Sequence, residues 1–114
     1  MIIRAAAPAT VAPPPDLSSS DPAALDAIYT DVVAYYTGRL ARHGATPLGV
    51  DWSCEATQRL RFVQLLKICD LSTAFSLLDV GCGYGALAVF LAERYPTVAI
   101  DYLGTDLAPA MIQR

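Results

Sequence analysis

The chain has 114 residues, of which 54% are hydrophobic and 17% charged, with a formal net charge of −3. This length suits about one domain, and the apolar fraction excludes a wholly disordered protein. The acidic balance offers no basic surface to nucleic acid or an anionic membrane, and no run reaches the roughly 18 apolar residues of a membrane helix, although the mean hydropathy is +0.40.

Residues 1–20 are rich in Ala, Pro, Ser and Thr and hold four of the eight prolines. Such a stretch buries too little side chain to offset its ordering entropy, so a disordered tail is expected. Its prolines also interrupt any signal-peptide core. A helix is then expected from Asp21, a good N-cap, with Pro22 at its first position. Leu25, Ile28, Tyr29, Val32, Val33, Tyr36 and Leu40 recur every three or four residues and form one apolar face. Arg42 and His43 suit the negative end of the helix, and Gly44 stops it. Ala45 to Trp52 reads as a loop.

A second helix is expected from about Ser53 to about Asp70, with Leu60, Val63, Leu66 and Ile68 as its apolar positions. The helix tyrosines and Trp52 read as packing residues. After Ser72 the pattern changes. Phe75 to Val80 is short and largely apolar, like a buried strand, and a glycine cluster bounds it. Gly81-Cys82-Gly83-Tyr84-Gly85 holds three of the seven glycines. Ala86 to Tyr95 reads as a helix that Pro96 ends. A second strand over Asp101 to Thr105 leads to Asp106, and Pro109 starts a further helical segment.

The three cysteines, Cys54, Cys69 and Cys82, form no CxxC pair and no even framework. Neither a zinc site nor a disulfide scaffold is supported, and reduced thiols in a cytoplasmic setting are expected. Cys82 stands near a helix start, but a varied residue between glycines is the simpler account than a nucleophile.

Strand, glycine loop, helix, strand and acid together make half of a nucleotide-binding α/β unit. The glycines allow positive φ and close approach of a ligand to the backbone. The next helix presents unpaired amides at its start. Asp106, 21 residues after Gly85, stands at a carboxyl strand end and can accept ribose hydroxyls. Gly81-x-Gly83-x-x-Ala86 also fits a dinucleotide fingerprint. Asp79, two residues before the first glycine, discriminates between ligands: its charge repels a pyrophosphate and favours a cationic partner. At ~4 Å and an effective dielectric of ~20, that attraction is about 4 kcal/mol before desolvation. S-adenosylmethionine, with its sulfonium, ammonium and adenosine ribose, fits.

Leu77-Leu78-Asp79-Val80-Gly81-Cys82-Gly83-Tyr84-Gly85 resembles the first motif of class I S-adenosylmethionine-dependent methyltransferases, acid-x-Gly-x-Gly-x-Gly. Tyr102-Leu103-Gly104-Thr105-Asp106-Leu107, with Ala108 to Ile112 after it, resembles the second-strand motif of that family. The resemblance implies an α/β, Rossmann-like doubly wound sheet, of which this chain holds the first two parallel strands behind N-terminal helices. The expected division is a tail at 1–20, a helical region at 21–72 and an incomplete cofactor-binding unit at 73–114. It implies cofactor contacts at Asp79, Gly81, Cys82, Gly83, Asp106 and Leu107: Asp79 on the loop and the amino group, Gly81 and Gly83 along the methionine part, Asp106 on the ribose, Leu107 near adenine. The stretch from Gly49-Val50-Asp51-Trp52 through Gln58-Arg59-Leu60-Arg61-Phe62 is similar to N-terminal helices that lie over the pocket in some bacterial members, with Gln58 and Arg61 as candidate cofactor contacts.

Only the first two of the family's seven strands are visible. A two-stranded parallel unit is not expected to stand alone, and its bare edge needs a missing C-terminal half or another chain. The expectation is therefore the N-terminal part of a truncated methyltransferase, inactive as 114 residues, with an unknown acceptor and no assignable catalytic residue or metal. The competing readings are a fragment of an NAD- or FAD-binding oxidoreductase, and a non-enzymatic interaction remnant.

Overall fold

The computed structural model describes residues 21–113, so the tail expected at 1–20 lies outside the described residues. Helix α1 (Pro22–His43) is followed by a 3-10 turn (Pro47–Val50), α2 (Glu55–Leu66), β1 (Phe75–Val80), α3 (Ala86–Arg94), β2 (Ile100–Thr105) and the short α4 (Pro109–Ile112). The two strands run parallel in an open sheet, with Phe75 opposite Ile100 and Val80 opposite Thr105. The chain between them crosses through α3, the connection that parallel neighbours require.

The start of α1 follows its sequence signals. The Asp21 carboxylate accepts from the Ala23 amide at 3.0 Å, and Pro22 needs no donor there. At the other end the Gly44 amide closes on the Leu40 carbonyl at 2.7 Å. The expected apolar face is covered only in its second half. Leu25, Ile28 and Tyr29 are exposed, while Leu40 is buried with Ala108 and Met111, and Tyr36, Val50 and Ala110 pack around them. The stretch expected as a plain loop instead forms the 3-10 turn. It is held to α1 by Arg39, whose guanidinium donates to the Leu48 carbonyl at 2.5 Å and pairs with Asp51 at 2.9 Å.

Helix α2 is shorter than expected and turns a different face inward. It ends at Leu66, not near Asp70. The Lys67, Ile68 and Cys69 amides bond to carbonyls three residues back, which tightens the chain out of the α-helix. The Asp70 carboxylate then takes the Ser72 amide at 3.0 Å and so starts the turn into β1. Leu60, Val63 and Ile68, expected on the core face, are exposed. The inward stripe is Gln58, Phe62 and Leu66, spaced by one helical turn. Two apolar stripes compete on this helix, and packing against α3 selects one of them.

The main core joins Leu66 of α2 to Leu87, Phe90 and Leu91 of α3, with Leu77, Ile100 and Tyr102 facing it from the sheet. Both strands alternate half-buried and exposed residues, so β1 is covered on one face and not on both, as its apolar sequence implied. Leu78, Val80 and Leu103 lie on the open face at 61%, 78% and 62% exposure. This open face accounts for the high mean hydropathy: the chain carries core-grade side chains that nothing among the described residues covers. No described helix is long and apolar enough to cross a membrane.

Candidate functional site

The carboxyl ends of the two strands meet the glycine loop. The Gly81 and Cys82 amides both donate to the Thr105 carbonyl, at 2.7 and 2.9 Å, and tie the loop to the end of β2. Gly81, Gly83 and Gly85 all have positive φ, of 78°, 56° and 87°. An L side chain there is strained by its Cβ. Gly83 is also short of space, since a Cβ would stand 2.9 Å from Cγ1 of Val50. The 3-10 turn thus sits directly on the loop, and Gly83 is where the two backbones can approach.

Two carboxylates flank the loop. Asp106 follows β2; its Oδ2 accepts from the Gly83 amide at 2.8 Å and its Oδ1 from the Ala108 amide at 2.9 Å. One side chain therefore holds the loop and begins the turn into α4. Loop ordering, expected of Asp79, falls to Asp106. The Asp79 carboxylate instead accepts from the Tyr102 hydroxyl at 2.6 Å, because its place in the register, opposite Gly104, puts it beside β2 and away from the loop amides. Burial pushes the Tyr102 hydroxyl well above its ordinary value, and the hydrogen bond to Asp79 adds to the shift.

Both carboxylates line one cleft of about 270 Å³, together with Gly81, Cys82, Gly83 and Leu107. All six positions picked out from the sequence meet there. Of the two upstream candidates, Gln58 is buried on the cleft wall and accepts from the Tyr84 hydroxyl at 3.4 Å. Arg61 is exposed and lies off the wall. Tyr36, Val50, Trp52, Phe62, Tyr84 and Met111 also line the cleft, although the sequence motifs single out none of them as a cofactor contact. Tyr36 and Trp52, expected as packing residues, are wall residues as well, because no local spacing separates a packing aromatic from a wall aromatic.

Asp79 and Asp106 are the charged residues of this wall; no Lys, Arg or His joins them among the described residues. The Cys82 thiol is pushed up, first by burial and then by the charges of Asp79 and Asp106. That disfavours the thiolate a nucleophile needs. The described residues contain no cluster of His, Cys, Asp or Glu that could hold a metal ion.

Over 48 residues, 42% of its length, the chain is 40% identical to a protein of Mycobacterium tuberculosis (strain ATCC 25618 / H37Rv) named "Putative methyltransferase Rv1506c". The shared stretch is 28% of that protein, so the chain spans under a third of the relative it matches. No family model and no solved structure matches the chain.

Proposed function

We propose that this chain carries the cofactor-binding part of an S-adenosylmethionine-dependent methyltransferase, on a Rossmann-like sheet. The observation that carries the reading is the charge of the cleft: two carboxylates and, among the described residues, no cation beside a glycine loop. A dinucleotide brings a pyrophosphate, which two carboxylates repel. A sulfonium and an ammonium are attracted by the same groups, and the wall aromatics Tyr36, Trp52, Phe62 and Tyr84 favour a cation at their faces. The partial identity to a protein named as a methyltransferase points the same way.

The residues suit the parts of that cofactor. Asp106 is held by two backbone amides, and each oxygen keeps a lone pair for a ribose hydroxyl. An added Cβ at Gly81 meets nothing within 4 Å, so the side of that backbone is open to the methionine part. Cys82 and Gly83 continue the same wall, Asp79 faces the amino group, and Leu107 offers its half-exposed side chain to adenine. When bound, the cofactor supplies a methyl group on a sulfonium sulfur. The contribution of the chain is to hold that methyl in line with an acceptor, a small molecule or an acceptor of another kind.

Equilibrium dialysis of the chain against S-adenosylmethionine and NAD in parallel tests this. Binding of S-adenosylmethionine with little retention of NAD is expected. Preference for the dinucleotide refutes the reading and favours an oxidoreductase fragment.

A further inference from the structure

Asp79 is fixed from behind the cleft. The Tyr102 hydroxyl that bonds to its Oδ2 at 2.6 Å comes from a residue off the cleft wall. Tyr102 packs into the core with Leu91 and Tyr95, on the α3 side of the sheet. To reach Asp79 its ring runs along its own strand past Gly104, the register partner of Asp79. A Cβ at position 104 would stand 3.0 Å from the Tyr102 hydroxyl and 2.9 Å from the Cys82 sulfur. The bare backbone at Gly104 therefore leaves room for the hydroxyl. The other carboxylate oxygen, Oδ1, accepts no hydrogen bond from the described residues.

We infer that Tyr102, seated over Gly104, is a positioning residue: it anchors one oxygen of Asp79 to the sheet and leaves the other for the cationic end of the ligand. The inference rests on the proposed cofactor. Its geometry follows from the pleat. Residues two apart on a strand share a face, so Tyr102 and Gly104 both lie beside Asp79 on the covered face. Burial and the Asp79 charge keep the phenol protonated, so it remains a donor at neutral pH. A phenylalanine at position 102 keeps the core packing and loses the anchor. The carboxylate then turns among rotamers, and ordering it again is charged to ligand binding.

Calorimetric titration of the 114-residue chain with S-adenosylmethionine and with 5′-methylthioadenosine tests the inference. The second probe keeps the adenosine and the methyl-bearing sulfur, but that sulfur is a neutral thioether in place of the sulfonium, and the amino acid is absent. Tyr102→Phe is expected to weaken S-adenosylmethionine by up to about tenfold, the cost of immobilising one freed side chain on binding. It should move 5′-methylthioadenosine by less than about twofold. Equal weakening of both probes, or no weakening of either, overturns the positioning role while the cofactor reading stands. A wild-type chain that binds neither probe overturns the cofactor reading and the inference with it.

Discussion

Gly83→Ala isolates the join between the glycine loop and the helical region. Gly83 has a φ of 56°, and its added Cβ would stand 2.9 Å from Val50 Cγ1. The left-handed conformation costs an alanine about 1–2 kcal/mol. Forcing a methyl against a packed neighbour costs a further ~1–3 kcal/mol. The sum is about 2–5 kcal/mol, a large part of the stability of a small domain. Gly81→Ala carries only the backbone cost, because nothing lies within 4 Å of its Cβ at a φ of 78°; about 1–2 kcal/mol is expected. Urea unfolding of the two variants, each alone and in a Val50→Ala background, separates the contributions. Val50→Ala should relieve Gly83→Ala by about 1–3 kcal/mol and leave Gly81→Ala unchanged. Equal costs at the two glycines, or no coupling between positions 83 and 50, refutes the contact and with it the seat of the 3-10 turn on the loop.

Asp106→Ala removes the acceptor of two backbone amides, so a stability loss of about 1.5–3 kcal/mol is expected in thermal unfolding even without ligand; an unchanged Tm contradicts the bonding described. Alkaline solution should destabilise the fold. The Cys82 thiol and the Tyr102 phenol are both raised in the native state, mainly by burial. The unfolded chain therefore releases these protons first, and stability is whole below about pH 8.5 and falls as pH rises through the raised values. Cys82→Ala should flatten the first part of that fall in a urea series, and an identical profile would remove Cys82 as a cause. The thiols should also differ in reactivity. Cys54 is exposed and its thiol is lowered, chiefly by its hydrogen bond with Thr57, whereas Cys82 is raised. Iodoacetamide at neutral pH should label Cys54 well before Cys82 in a mass-resolved time course, and the reverse order would refute the assignment.

Much of the path was readable from local chemistry. Asp21, Pro22 and Gly44 bound α1 because capping groups act within one turn. Phe75 to Val80 forms a strand, and Ala86 begins the helix after the glycines, as read. β2 begins one residue earlier than expected, at Ile100. The order of strand, loop, helix, strand and acid places Asp79, Gly81, Cys82, Gly83, Asp106 and Leu107 near one another, since Asp79 near the end of β1 and Asp106 just after β2 stand at the carboxyl ends of parallel strands.

The rest belongs to contacts between residues distant in sequence. Residue spacing offered α2 two apolar stripes, and packing against α3 chose Phe62 and Leu66 over Leu60 and Val63. The register of β1 on β2 set Asp79 beside Tyr102 and left the Gly83 amide to Asp106. The walls from Tyr36, Val50 and Trp52 exist because α1 and the 3-10 turn return onto α4 and the loop. Local propensity and spacing act over a few residues, so they determine which segments form and in what order. The partner of a carboxylate and the inward face of a helix depend on where other segments come to rest, and only the packed molecule decides that.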